Sequence, residues 1–485
     1  MPKTLNILFL ASEADPFVKV GGLADVAGSL PLALRTLPNM PADVRLVIPF
    51  HTAIHTERFP MQRELEFTIP RRVSSASPRD LVDVPVEVFS TQLQGLTVYL
   101  ISGEPIRSSE KIYDPNDSLA DSEKYIFFSL AALELARRLD WHPDIVHAND
   151  WHTAVSLYAL KLQSEDPFWA GTKTVLCVHN LCFMGAGSED VLTAYGLPPV
   201  DAPELPAWGR HVPMPLGLWA ADKIVAVSPS YAEEIQTEEY GCGLESFLLS
   251  RRKRITGIIN GIDNSIWDPS NDSFLPVNFT ARKLSSRNGI KSALQAQFGL
   301  PVEAVTPLLG MVTRMDQQKG VDIAVSALRS LPDEPWQVIL LGTGNAELEI
   351  AARHLEIDFP NRVTAVLRYD GKLAHQIYGG SDMLLMPSRY EPCGLAQMIA
   401  MRYGCIPVAR STGGLRDTIT EAQTGFLFAE ATVPAMAAAL RRALAAFRDA
   451  EGWRVMQKSA MAENFSWERS ARKYAALYQS LSEAA

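Results

Sequence analysis

From one end of the chain to the other, short apolar runs suited to strands alternate with longer runs of helical period. That rhythm leaves few folds open. Asn6–Ser12, Val44–Pro49, Leu96–Ser102, Ile145–Asn149, Thr174–His179 and Ile224–Ser228 read as strands of a first sheet, with helical patterns such as Gly22–Leu37 and Glu123–Leu139 between them. A second series begins near Pro307: Leu308–Thr313, Gln337–Gly342, Val363–Leu367, Met383–Pro387 and Cys405–Ala409, with helices at Val321–Leu331 and Ala346–Leu355. Strand–helix alternation implies parallel sheets covered on both faces. Two such series imply two doubly wound α/β domains, and 485 residues are too many for one ordinary core. The polar stretch Asn264–Asn288 reads as a connection. A last helix, Trp467–Leu481, follows a polar break and is expected to pack back on the first domain. The expected domains are 1–255 with the helix 466–485, and 256–465.

Composition excludes several classes of partner. The net charge of −10, without a basic stripe carrying interleaved aromatics, argues against nucleic acid. No stretch approaches the ~18 apolar residues of a membrane span. The apolar run Ile7–Ala11 is too short for a secretory segment and is followed at once by Glu13 and Asp15. Five cysteines (177, 182, 242, 393, 405) show no C-x-x-C pair and no zinc spacing, as expected of reduced thiols in the cytoplasm.

The polar residues gather where strands are expected to end. The buried run Met383–Met386 stops at Pro387, and Glu391-Pro392-Cys393-Gly394-Leu395 follows, with Gly394 opening an apolar helix through Met401. Open α/β sheets bind ligands at the carboxyl ends of strands, and the N–H groups of a helix start suit hydroxyls or phosphates. A merely solvated Glu391 fits the same local pattern. Lys19-Val20-Gly21-Gly22-Leu23-Ala24-Asp25 follows the first strand and opens the first helix; it suits a tight turn or a diphosphate cradle, but its spacing is not that of a dinucleotide site. Thr412-Gly413-Gly414-Leu415 repeats the grammar in the second half. Arg314 and Lys319 flank the turn after that half's first strand, where together they would neutralise a leaving diphosphate; two solvated surface cations fit the same spacing. His147-Ala148-Asn149-Asp150-Trp151-His152 holds two His and one Asp that could ligate zinc, but a strand-to-helix turn would scatter them, so no metal is expected; sugar binding, or capping of the next helix by Asp150, fits better. His179-Asn180 and Glu13 end two further strands.

Taken in order, these segments resemble the bacterial glycogen synthase and plant starch synthase family, retaining glucosyltransferases of the two-domain GT-B fold. The resemblance runs from Lys19–Asp25 through His147–Ala154, His179-Asn180, Val227–Tyr231, Gly257–Asp263, Arg314/Lys319-Gly320 and Pro387–Leu395 to Thr412–Thr418. It implies two Rossmann-like domains facing each other across a cleft. It also implies transfer of glucose from ADP-glucose to the non-reducing end of an α-1,4-glucan, with no cofactor. Lys19, Arg314 and Lys319 would bind the donor's phosphates, with backbone contacts from Gly21, Gly22, Thr412, Gly413 and Gly414. Glu391 would sit at the glucose, within the segment of Cys393, Gly394 and Leu395, whose last two N–H groups would meet sugar hydroxyls. His179, beside Asn180, would hold the glucose near its 6-hydroxyl. Glu13, Asp25 and Asp150 match acidic positions of the family's cleft, and Tyr369 an aromatic that lies against the base. Ile399 stands eight residues after Glu391, where the sucrose- and lipid-directed class carries a second Glu.

Three first-domain segments depart from the family pattern: Pro213–Gly217 lacks a Lys, Cys182–Gly185 replaces a Tyr/His-Gln-Gly run, and Asp121–Tyr125 varies an Asp-Asn-x-x-Arg-Phe motif. They bear on acceptor choice rather than donor chemistry. Alternatives are therefore a UDP-glucose-dependent enzyme, one with another acceptor, or a non-catalytic glucan-binding homologue. A same-face mechanism, with the departing phosphate taking the acceptor's proton, would leave Glu391 to orient and stabilise. A carboxylate nucleophile is the other route to retention.

Overall fold

The structure, a computed structural model, describes residues 4–38, 40–73, 80–114 and 116–483. The chain divides into two compact units, the first running to Gly261 and resuming at Trp467, the second comprising Ile262–Ser466. The last two positions of the helix expected over 466–485 lie outside the described residues.

The first unit holds a nine-stranded sheet: β1 (Leu5–Leu10), β2 (Ala42–Pro49), β3 (Gln62–Arg72), β4 (Leu81–Leu93), β5 (Leu96–Gly103), β6 (Ile145–Asn149), β7 (Lys173–Val178), β8 (Lys223–Ala226) and β9 (Ile255–Gly257). Their order is β3-β4-β5-β2-β1-β6-β7-β8-β9. All neighbours are parallel except the β3–β4 and β4–β5 pairs. The order reverses between β1 and β6, so chain leaving these two strands diverges and opens a crevice at their carboxyl ends. Ile7, Phe9 and Leu10 of β1 are fully buried, and each such side chain contributes about 1.5–3 kcal/mol by leaving water.

The helix Trp467–Glu483 belongs to this unit and lies along the helix Gly22–Arg35. Tyr478 places its hydroxyl 2.6 Å from His147 Nδ1, the Tyr474 hydroxyl lies 3.4 Å from Cys177 Sγ, and Ser470 donates to the Ile259 carbonyl at 2.6 Å.

The second unit is a six-stranded, wholly parallel sheet: β10 (Leu308–Val312), β11 (Gln337–Leu341), β12 (Val363–Val366), β13 (Met383–Met386), β14 (Ile406–Arg410) and β15 (Phe426–Phe428). Its order, β12-β11-β10-β13-β14-β15, is the doubly wound arrangement, with the switch point between β10 and β13. Leu308, Ile339, Leu341 and Val366 form a core with Leu373 and Ile377 of the helix Gly371–Gly380. Among the described residues, no helix is long and apolar enough to cross a membrane.

Candidate active site

In the second unit, the turns leaving β10 and β13 meet at the switch point. Gly320 has φ +65°, and a Cβ there would stand 2.2 Å from the Pro387 carbonyl oxygen, so only glycine lets the two turns approach. Asp316 accepts a hydrogen bond from the Lys319 amide at 3.0 Å and fixes the first turn. Arg389 locks the second turn to the first, with bonds of 2.9 and 2.7 Å to the two Asp322 oxygens and one of 2.8 Å to the Gln317 carbonyl.

Held in this way, Lys319 Nζ lies 2.8 and 2.7 Å from the two carboxylate oxygens of Glu391, and Ser388 donates to the same carboxylate at 2.9 Å. Glu391 is only 4% exposed, so its charge is balanced by Lys319 rather than by water. Arg314 is mostly exposed and reaches Asp316 at 3.3 Å. A concavity of about 180 Å³ is lined by Thr313, Arg314, Lys319, Ser388, Glu391 and Leu395, among others.

The two motifs of the second half converge here. The Gly414 amide donates to the Glu391 carbonyl at 3.0 Å, and a Cβ on Gly414 would stand 2.0 Å from the Cys393 carbonyl oxygen. Thr412 is buried, and Gly413 begins a short helix over Gly413–Thr418. The expectation that Gly394 opens a helix is corrected. Gly394 sits at φ +70° ahead of the helix Ala396–Arg402, because a left-handed residue turns the chain before α geometry can begin. Cys393 is buried. Tyr369 follows β12 with 86% of its surface exposed, and it does not line the concavity.

In the first unit, the corresponding turns leave β1, β6 and β7. Glu13 is buried and accepts from the Val20 amide at 2.5 Å and from the Gly21 amide at 3.2 Å. Burial raises its carboxyl to about 7, against the opposing pull of those amides. Gly22 starts the helix Gly22–Arg35, whose cap is Gly21. Lys19 is not an uncommitted cation: its Nζ pairs with Asp25 at 2.5 Å and Asp15 at 3.5 Å.

Asp150 does not cap the helix that follows it. Asn149 is the cap residue, and Asp150, at φ +54°, turns its carboxylate towards the exit of β7. There it accepts from the His179 amide at 2.7 Å and the Asn180 amide at 3.2 Å. Burial lifts its carboxyl to about 7, and the negative charge of Glu13 adds to that rise. His179 Nε2 lies 2.9 Å from Asn149 Oδ1, and burial lowers the imidazole to about 3, so the ring is neutral at ordinary pH. His147 and His152 are buried among aromatic rings. Among the described residues, no cluster of three His, Cys, Asp or Glu stands ready for a metal.

Three residues at these turns escaped the sequence reading. Ser388 lies three residues before Glu391, and its position after Pro387 at a strand end was the available signal. Arg389 offered only a charge. Tyr113, whose hydroxyl is 2.7 Å from Ser12 Oγ and contacts Glu13, lies 101 positions along the chain from Ser12, and no local pattern marks it.

Residues 6–250 match the family described as Starch synthase catalytic domain, and residues 297–453 the family described as Glycosyl transferases group 1. Glycogen synthase of Bacillus cereus (strain Q1) is 37% identical over 497 aligned positions, covering 99% of this chain and 100% of the relative. Glycogen synthase of Anaeromyxobacter dehalogenans (strain 2CP-C) is 40% identical, covering 98% and 100%. The catalytic domain of Starch Synthase IV from Arabidopsis thaliana, solved with ADP and acarbose, superposes with a TM-score of 0.87 at 31% identity, covering 99% of this chain and 100% of that one.

Proposed function

Since this chain belongs to the glycogen synthase and starch synthase family and is a glucosyltransferase of that type, we propose that its donor is ADP-glucose. The proposed acceptor is the non-reducing end of an α-1,4-glucan, and the proposed setting is the cytoplasm. The observation that carries the reading is the Lys319–Glu391 contact at the second unit's switch point, with Arg314 lining the same concavity. Two cations and a carboxylate within one small concavity suit a sugar joined to a diphosphate. Binding a neutral glucan alone calls for no phosphate cations. ADP in the Arabidopsis starch synthase structure supports the choice of base.

In this reading, Arg314 and Lys319 stabilise the charge that develops on the diphosphate as the anomeric bond weakens, an electrostatic contribution that usually dominates such transfers. Glu391, with its carboxylate oriented by Lys319 and Ser388, faces the glucose and favours positive charge there. The Gly394 and Leu395 amides and the Thr412–Gly414 turn contact sugar and phosphate oxygens, and Tyr369 offers an open ring face to the base. In the first unit, neutral His179, beside Asn180, bonds the glucose 6-hydroxyl. Glu13, Asp150 and Asp25 are read as acidic groups near the sugars, Gly21 and Gly22 as backbone donors, and Lys19 as a phosphate contact once it releases Asp25.

The test is release of ADP and UDP from each glucose donor, with and without glycogen. Glycogen-dependent ADP release in excess of UDP release is expected. Preferential use of UDP-glucose would overturn the donor assignment, and release with neither donor would overturn the reading of the site.

A further inference from the structure

Two thiols that this transfer does not use face each other in the first unit. Cys182 Sγ lies 2.7 Å from Cys242 Sγ, although 60 positions separate them in sequence. Cys182 is exposed and Cys242 half-buried, whereas Cys177, Cys393 and Cys405 are buried. A small reagent therefore reaches this pair and not the others.

Both sulfurs are presented by constrained turns. Cys242 has φ +51°, in the left-handed region that non-glycine residues seldom occupy, and the next residue, Gly243, has φ +81°. A Cβ on Gly241 would stand 2.8 Å from the Thr237 carbonyl oxygen, and one on Gly243 would stand 3.2 Å from the Trp208 ring. The Gly241 amide donates to Thr237 at 2.7 Å and the Leu244 amide to Gly241 at 2.8 Å, which pins the turn at both ends. Cys182 rides on the turn leaving β7. There the Asn180 amide is held by Asp150, the Leu181 amide by the Tyr231 hydroxyl at 2.9 Å, and the Cys182 amide by Asn180 Oδ1 at 3.3 Å.

We propose that Cys182 and Cys242 are a reversible disulfide site, oxidised by exchange with a small-molecule disulfide, and that the bond clamps the turn over residues 180–185. The Cys182 thiolate attacks one sulfur of the reagent, forming a mixed disulfide and expelling one thiolate. Cys242 loses its proton and attacks Cys182 Sγ, expelling the second thiolate. Two protein thiols become one disulfide, the reagent's disulfide becomes two thiols, and the protons released are taken up by the departing thiolates. Cys182 is the exposed thiol of the pair and so the first attacker, while hydrogen bonding with Cys182 and then burial push the Cys242 thiol up. The turn also carries His179 and Asn180. Any effect on turnover rests on their proposed role at the sugar; the bond itself does not.

The full chain, C182S and C242S are equilibrated with glutathione disulfide and then with dithiothreitol. Peptides are mapped without reduction, and amide hydrogen exchange is followed over residues 180–185. The expected result is a Cys182–Cys242 crosslink in the unsubstituted protein, reversed by dithiothreitol, with exchange slowed several-fold while it persists. C242S stops at a glutathione adduct on Cys182, without that slowing. A glutathione adduct on Cys182 of the unsubstituted protein with no crosslink overturns the proposal, and so does a crosslink that leaves exchange unchanged. Neither readout requires synthase activity, so failure of the donor assignment is distinguishable from failure of this one.

Discussion

Lys319 holds both carboxylate oxygens of Glu391 at once, at 2.8 and 2.7 Å, across 72 positions of sequence. The contact neutralises each partner until a ligand offers the ammonium a competing anion. In the proposed reading, charge on a leaving diphosphate would draw Lys319 away from the carboxylate and strengthen the field that Glu391 exerts on the sugar.

Replacing Glu391 with Gln keeps the shape and removes that field. Glycogen-dependent nucleotide release is expected to fall about 100-fold or more in kcat, with a smaller change in donor KM, since transition-state charge stabilisation of this kind is commonly worth that much. Steady-state kinetics at saturating glycogen check it; an unchanged kcat would remove Glu391 from the chemistry.

Gly320→Ala forces a Cβ to within 2.2 Å of the Pro387 carbonyl oxygen at a residue with φ +65°. The clash and the left-handed backbone together are expected to cost about 2–4 kcal/mol. Denaturant unfolding reads the loss. Activity should fall with it, because the same displacement parts Lys319 from Glu391.

The buried carboxyls of the first unit predict a dependence on pH. Asp150 is raised from 3.8 to about 7, mainly by burial. The folded protein therefore keeps a proton there that the unfolded chain has already released, and stability falls as pH rises from about 4 to about 7. Asp150→Asn retains the acceptor oxygen that meets the His179 and Asn180 amides but has no proton to lose. Between pH 5 and 7.5 the unsubstituted protein should lose on the order of 2–4 kcal/mol relative to this variant in urea unfolding. Parallel stability curves would contradict the assignment.

Tyr369→Ala tests the open ring. At 86% exposure the side chain supports little of the core, and stability should stay within about 0.5 kcal/mol. Donor KM is expected to rise roughly 10-fold with kcat little changed, as for the loss of a stacking contact worth about 1–1.5 kcal/mol.

Much of this architecture is written locally. Met383–Met386 is buried on both faces and apolar at every position, so it can be read as a central parallel strand without knowledge of its neighbours. β3 and β4 are hidden for the opposite reason: along Gln62–Arg72 only Phe67 and Ile69 are buried, along Leu81–Leu93 only Val86, Val88 and Thr91, and polar residues and proline interrupt the rest. β9 and β15 span three residues each, too short for any period to show. At the site, motif spacing pointed to Glu391, Lys319 and the Thr412–Gly414 turn, and the family match placed the chain among the synthases. Which atoms meet was not legible. The Asp150 reach to His179 depends on a positive φ at a non-glycine residue, and the Lys19 pairing with Asp25 on how one turn folds over. Contacts made through chain reversal leave no periodic trace in the sequence.

The return of Trp467–Glu483 to the first unit has a consequence for how the chain is made. Residues 262–466 emerge from the ribosome before that helix does, so they can reach their fold while the first unit still lacks one wall. His147 waits for Tyr478, 331 positions downstream, before its ring nitrogen finds its partner. The portion synthesised first is thus the portion finished last, and a ribosome stalled anywhere in residues 262–466 would hold open to solvent the side of Gly22–Arg35 that this helix later covers.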